Sequence, residues 1–262
     1  MKVVIIGTGN VATVFGRLLS KTGHDVIQVF GRTQASAKEL ADQLDCSHTG
    51  SWNEINRQAD LYLVAIADKA LYELNQHLSL SHQLIVHTAG SVSKSVLKHT
   101  SINYGVMYPL QSLHKGMPVL TEIPLLVDAN NEEAMEQIML LAGSLTTNIS
   151  AANDDQRLKL HLAAVVINNF VNHLYVITAD FCEHENIRFD LLLPLMTETS
   201  KRMEFASPGQ MLTGPAIRND QVTIAKHINL LRAYPLLLKQ YKQLTESILR
   251  SQSVMTKGDP MT

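Results

Sequence analysis

Apolar and polar positions alternate along this chain in two different ways, and the change falls near residue 152. From residue 3 to about 128, short apolar runs alternate with helical segments, the pattern of a parallel α/β sheet. Runs at residues 2–6, 24–30, 61–66, 83–87 and 103–107 predict strands, and residues 36–44 predict a helix after the second of them. Residues 123–127 and 146–150 predict edge strands on either side of a helix over 132–143. Beyond 152 the period-2 signal disappears and only helical periodicity remains. Asn153-Asp154-Asp155 is a capping cluster that opens a predicted helix running to about residue 185. Further helices are predicted at 190–206, 221–231 and 234–249, with Ser207-Pro208-Gly209 and Thr213-Gly214-Pro215 breaking the pattern between them.

The first strand runs without a gap into Gly7-Thr8-Gly9-Asn10-Val11-Ala12, and a helical pattern follows. Strand, glycine turn and helix in that order is the context of a dinucleotide fingerprint, here in the form G-x-G-x-x-A. Gly7 permits a tight turn, Gly9 lets backbone approach a pyrophosphate, and small Ala12 lets the helix pack on the strand. Free N–H groups at the helix start then face the anion. The fold class predicted is α/β: a Rossmann-type doubly wound parallel sheet followed by an all-helical C-terminal domain. Residues 1–151 form the nucleotide-binding part, 152–256 a helical substrate and dimerisation part, and 257–262 a disordered tail.

Cofactor choice is written at the end of the second strand. An NAD-specific fold places a carboxylate there for the ribose 2′-hydroxyl, but none occurs between Val26 and Lys38. Arg32 can pair with a 2′-phosphate and lie against adenine, and Thr33 can offer a hydroxyl, so NADP is the predicted cofactor. Turns after later strands are candidates to line the ribose and nicotinamide: Ala67-Asp68 after one strand, Thr88-Ala89-Gly90 after the next. Asp68 reads equally as a helix N-cap. His87 reads as a general acid or as a turn anchor. Gln111 or Ser112, after the turn at Pro109, could also face the cofactor.

Composition narrows the function classes. Apolar residues are 45% and charged residues 18% of 262, which suits a cored globular protein, and a net charge of -2 gives no field for nucleic acid or an anionic membrane. Two distant cysteines, Cys46 and Cys182, suit a reducing cytoplasm and offer no metal spacing. No secretory leader pattern opens the chain, and no apolar run of about 18 residues is uninterrupted, so a cytoplasmic location without a membrane span is expected.

On a 100° wheel the helix after residue 153 has a broad apolar face including Leu160, Ile167, Phe170 and Phe181. A narrower stripe carries Arg157, His161, Ala164, Asn168, Asn172 and Tyr175. Arg, His and Asn make directed hydrogen bonds while burying cheaply, so the stripe reads as a cleft or subunit contact, or else as an ordinary exposed face. His161, Asn168 and Asn172, with His87, are the candidate catalytic residues. The apolar surface of the helical part predicts a homodimer formed through it.

The blocks GTGNVA at Gly7–Ala12, GRT at Gly31–Thr33, HTAGS at His87–Ser91, YPLQSL at Tyr108–Leu113 and GPAIRND at Gly214–Asp220 span most of the chain. With them the chain resembles bacterial NADP oxidoreductases that join a Rossmann-like domain to a C-terminal domain of unknown function. These are related to the pyrroline-carboxylate reductase and β-hydroxyacid dehydrogenase superfamily. The resemblance implies NADP(H) in the sheet domain, a small-molecule substrate pocket against the helical domain, and homodimers. It also implies hydride transfer to or from a carbonyl or imine; a non-catalytic NADP-binding sensor or interaction protein is the alternative on the same fold. One feature departs from the superfamily. Many β-hydroxyacid dehydrogenases carry Lys and Asn four residues apart on the first long helix, whereas Lys159 here is followed by Ala163 and His161 by Val165. Asn168 and Asn172 are the polar pair at that spacing on the stripe.

Overall fold

The computed structural model describes residues 1–117 and 122–255. Its chain divides into two compact units, Met1–Asn168 and Asn169–Thr262. The first holds strands β1 (Lys2–Ile6), β2 (Asp25–Phe30), β3 (Ser47–Thr49), β4 (Leu61–Val64), β5 (Leu84–His87), β6 (Tyr104–Pro109), β7 (Leu125–Ala129) and β8 (Ile149–Ala151). Helices α1 (Asn10–Lys21), α2 (Gln34–Leu44), α3 (Asp68–Leu71), α4 (Glu132–Leu145) and α5 (Asp154–Ala164) connect or follow them. The strands form one sheet in the order β3-β2-β1-β4-β5-β6-β7-β8. Every neighbour pair is parallel except β6 and β7, which run antiparallel. The mostly parallel, doubly wound sheet agrees with the reading from sequence.

Alternation along β1 explains the layering. Val3 and Ile5 face one apolar layer with Phe15, Leu19, Val86 and Ile138. Val4 and Ile6 face the other with Tyr62, Val64, Leu74 and Leu97. These four of the five β1 side chains are fully buried, each contributing about 1.5–3 kcal/mol of transfer free energy. Gly16 sets α1 close to the sheet, since a Cβ there would meet Leu44 at 2.6 Å and Ile5 at 3.1 Å.

One expected strand lies elsewhere in the sheet, and one strand has no sequence signal. Residues 123–127 were expected at an edge, yet β7 is interior, paired with β6 on one side and β8 on the other. The far edge is the three-residue β3, Ser-His-Thr, too short and polar to carry an alternating signal.

The predicted helix over 153–185 is interrupted in kind. Asn153 caps it with a reciprocal Gln156 bond, but Val165–Phe170 is a π-helical segment before α6 (Val171–His184) resumes. A 100° wheel therefore does not carry through, because a π segment takes more residues per turn. The stripe is not continuous: Arg157 is buried and His161 half-buried, whereas Asn168 and Asn172 are both exposed.

The second unit holds α6, α7 (Leu193–Arg202), α8 (Pro208–Met211), α9 (Gln221–Leu230) and α10 (Pro235–Met255). α10 packs against α6 and α9, and His227 on α9 meets the Tyr241 hydroxyl on α10 at 2.9 Å. The tail expected to be disordered, 257–262, lies outside the described residues.

Candidate functional site

The first cluster is built where the chain reverses direction across the sheet, between β1 and β4. Gly7 has φ +128°, and a Cβ on it would sit 2.1 Å from the Ala65 carbonyl oxygen, so only glycine allows β1 to close against the end of β4. At Gly9 nothing lies within 4 Å of a Cβ, which leaves open space over the backbone. Gly9 is also the N-cap of α1 and supplies no side-chain cap. Other helix starts are closed by their own side chains: Thr33 on α2, Asn131 on α4, Asn153 on α5 and Asp220 on α9. The free donors of α1 thus stand over an unfilled glycine cradle, the arrangement that accepts a phosphate.

A cavity of about 410 Å³ opens here. Gly7, Thr8, Gly9, Arg32 and Ala67 line it, as the sequence led one to expect. So do residues the sequence reading missed: Phe30, Gly50, Trp52, Glu73 and His77. Phe30 and Trp52 rings lie 4.0 Å apart, and His77 stacks nearly parallel on Trp52 at 5.2 Å with 9° between planes. A flat aromatic wall beside Arg32 suits a purine. The sequence offered no spacing to find these residues, because the strand that precedes Trp52, β3, is itself too short and polar to be read.

Remaining cofactor candidates take other places. Ala12 is fully buried under α1, the small-residue packing role. Val11 packs against the same apolar layer, and Asn10 accepts a bond from the Lys115 backbone at 3.1 Å. Thr33 caps α2 through the Ser36 N–H. Asp68 accepts from the Ser91 hydroxyl at 2.5 Å and makes no cap, tying the turn after β4 to the turn after β5. Thr88 and Ala89 are buried in that second turn, and Gln111 and Ser112 are exposed.

A second cluster gathers around the β5 turn. His87 is wholly buried; its Nδ1 accepts from the Ala89 N–H at 3.2 Å, the position of a turn anchor. Burial, with the Arg157 guanidinium nearby, pulls its pKa down to about 4, so the ring stays neutral. Arg157 is 1% exposed and donates from Nη2 to the Val92 carbonyl at 2.5 Å and to Asp154 at 2.6 Å. Asp154 also accepts from the Ser93 hydroxyl and the Lys94 N–H. Burial opposes its ionisation, but these donors outweigh it and hold its carboxyl below the usual range. This network fastens the start of α5 to the β5 turn.

One helical turn beyond Arg157, His161 reaches the end of β6, where its Nδ1 lies 3.0 Å from the Tyr108 hydroxyl. Gly90 makes room: a Cβ there would meet the His161 ring at 2.7 Å and Tyr108 at 2.9 Å. Lys159 faces solvent, 73% exposed, paired with Asp155.

Comparison with known proteins is consistent with this geometry. Residues 2–90 match the family described as NADP oxidoreductase, coenzyme F420-dependent, and residues 123–248 match the domain of unknown function DUF2520. A crystal structure of a "putative NADP oxidoreductase" from Bacteroides fragilis is 36% identical, with a TM-score of 0.90 over 95% of this chain and 98% of that one. More distant folds include a pyrroline-5-carboxylate reductase from Streptococcus pyogenes (16% identity, TM-score 0.66, 95% and 98% covered). An imine reductase from Myxococcus stipitatus in complex with NADP+ is also similar (14%, 0.68, 98% and 95%). No curated protein matches the chain.

Proposed function

The chain belongs to the family of NADP oxidoreductases that join a Rossmann-type domain to DUF2520, and from that premise we propose that it moves hydride between NADP(H) and a carbonyl or imine carbon of a small metabolite. The observation that carries the reading is the open Gly9 cradle beside uncapped α1, continuous with a cavity walled by Arg32 and Trp52. The residues fit the cofactor at both ends. Gly7 and Gly9 bring backbone donors to the pyrophosphate, and Arg32 offers a fork to the 2′-phosphate. Phe30, Trp52 and His77 give adenine an aromatic wall. NADPH, when bound, supplies the hydride.

The chain's own task is then to place the substrate and exchange one proton. His161 is the proton donor in this reading, an imidazole half-buried on α5 with its Nδ1 bonded to the Tyr108 hydroxyl. Asn168 and Asn172, exposed on the helix beyond it, serve as hydrogen-bonding groups toward substrate or a partner subunit. His87, buried and neutral, holds the β5 turn. Residues 1–151 bind the nucleotide, and 152–256 supply the substrate side and the dimer contact.

The helix Asp154–His184 is long enough, and one 18-residue stretch of it apolar enough, to cross a membrane by length and composition. We assign its exposed apolar side chains, among them Ile167 (73% exposed) and Phe170 (58%), to a second copy of the chain in the cytoplasm. The proposed reaction is tested by following NADPH oxidation at 340 nm over a panel of small oxoacids, aldehydes and cyclic imines. Turnover of one class, lowered about 10²-fold in His161→Ala, supports it. NADPH binding with no turnover across the panel favours a non-catalytic sensor.

A further inference from the structure

The pairing of Tyr108 with His161 was in no reading of the sequence, and three elements converge to make it. Tyr108 sits near the end of β6, His161 on α5, and Gly90 in the turn after β5. The phenol oxygen lies 3.0 Å from Nδ1, and the rings meet edge to face with centroids 5.8 Å apart. No side chain at position 90 could coexist with that packing, because its Cβ would fall within 2.9 Å of both rings.

We propose that Tyr108 is the positioning residue of His161: its hydroxyl holds Nδ1 and leaves Nε2 as the edge that exchanges the proton. This rests on the proton-donor role given to His161 in the proposed reaction. A phenol has one proton and acceptor lone pairs, whereas each imidazole nitrogen is a donor or an acceptor according to its charge state. Toward the neutral ring the hydroxyl donates to Nδ1, which fixes the proton on Nε2. Toward the imidazolium it accepts from Nδ1–H. The ring therefore keeps this bond in both states. When imidazolium gives the Nε2 proton to the substrate oxygen or nitrogen, the ring is left transiently as the Nδ1–H form, still donating to Tyr108. A proton from solvent then returns to Nε2 and restores the imidazolium; the Nε2–H form is the neutral ring at rest, and the phenol keeps its own proton throughout. Burial raises the Tyr108 pKa, which favours a hydroxyl that stays protonated.

The charged groups of the neighbouring elements bond elsewhere than to the imidazole. Arg157, one turn back on α5, donates from Nη2 to Asp154 and to Val92, with its buried Nε and Nη1 unpaired, and Lys159 pairs with Asp155. Asp68, beside the Gly90 turn, accepts from Ser91. That leaves Tyr108 as the side chain hydrogen-bonded to the imidazole among the described residues.

Long-range proton–nitrogen NMR on the uniformly ¹⁵N-labelled, full-length, cofactor-free protein reads this directly, with His161→Gln assigning the resonances. With the ring neutral, His161 in the unmodified protein is expected with its proton on Nε2. Tyr108→Phe, which removes only the hydroxyl, should turn this into a mixture of both tautomers. Gly90→Ala, which drives the rings apart, should do the same. A neutral Nδ1–H form in the unmodified protein, or a tautomer unchanged in both variants, overturns the proposal. In the substrate panel Tyr108→Phe should lower kcat about tenfold with KM nearly unchanged, the scale of one hydrogen bond, and shift the pH profile. Normal turnover by His161→Gln would instead overturn the donor role in the proposed reaction, while the NMR result on the pair would stand.

Discussion

The two compact units of this chain bury apolar surface to very different extents. Residues 1–168 contain both apolar cores, in which β1, β4 and β5 side chains are almost wholly hidden. Among the described residues beyond 168, only a few side chains, such as Ile177, Cys182 and Ile224, are buried, while Phe205 is 84% exposed and Leu191 66%. A sheet covered on both faces completes its own core, whereas an apolar helix layer alone cannot. The difference teaches that the nucleotide-binding unit encloses its apolar side chains within one chain, whereas the helical unit leaves many of its own exposed, which is the surface the proposed dimer would cover.

The largest expected effect tests that cover. Phe170→Asp places a charge on the exposed apolar helix face, and a dimer should become a monomer at micromolar concentration by light scattering, with the helical unit losing protection in hydrogen exchange. NADPH affinity of the first unit should survive. An unmodified protein that is already monomeric would break the contrast between the units.

Next in size is a pair of glycines inside the nucleotide-binding unit. Gly7→Ala must put a Cβ 2.1 Å from the Ala65 carbonyl at φ +128°, and a loss of at least about 2 kcal/mol is expected in urea unfolding. Gly9→Ala meets nothing within 4 Å and should leave stability unchanged while weakening NADPH, because its Cβ occupies the cradle. Equal destabilisation by both would mean that Gly9 is structural.

A third test uses pH. His87 is held neutral in the fold, its pKa pulled down to about 4 from an ordinary value near 6.5. Below pH 6.5 the unfolded chain binds the proton that the folded chain refuses. Stability contributed at neutral pH is thus lost as pH falls from about 6.5 to 4, on the order of 3 kcal/mol at most. Urea midpoints across that window should fall, and less steeply in His87→Gln. The loss should register in the sheet unit.

The same contrast explains what the sequence disclosed. Strands β1, β2, β4 and β5 were legible because each is an apolar run bounded by turn residues, and Gly7, Gly9 and Arg32 because their chemistry is tied to fixed offsets from strand ends. Trp52 and His77 were not, since stacking across two loops leaves no spacing to read. The β6 to β7 reversal was hidden for a similar reason: an interior strand looks alike whichever way it runs. His161 was reached through a helical wheel. That wheel failed at Val165–Phe170, where the π segment moves Asn168 and Asn172 out of line. Tyr108 was missed because its partner lies 53 residues away in the chain.

The central claim is that the sheet unit is built for NADP, and one titration addresses it. Trp52 is the single tryptophan and lines the cavity, so its fluorescence should be quenched saturably as NADPH is added. NADPH should bind at least about tenfold tighter than NADH, about 1.4 kcal/mol, and Arg32→Asp should erase that preference. Equal affinities for the two nucleotides in the unmodified protein, or Trp52 emission indifferent to both, would contradict the account.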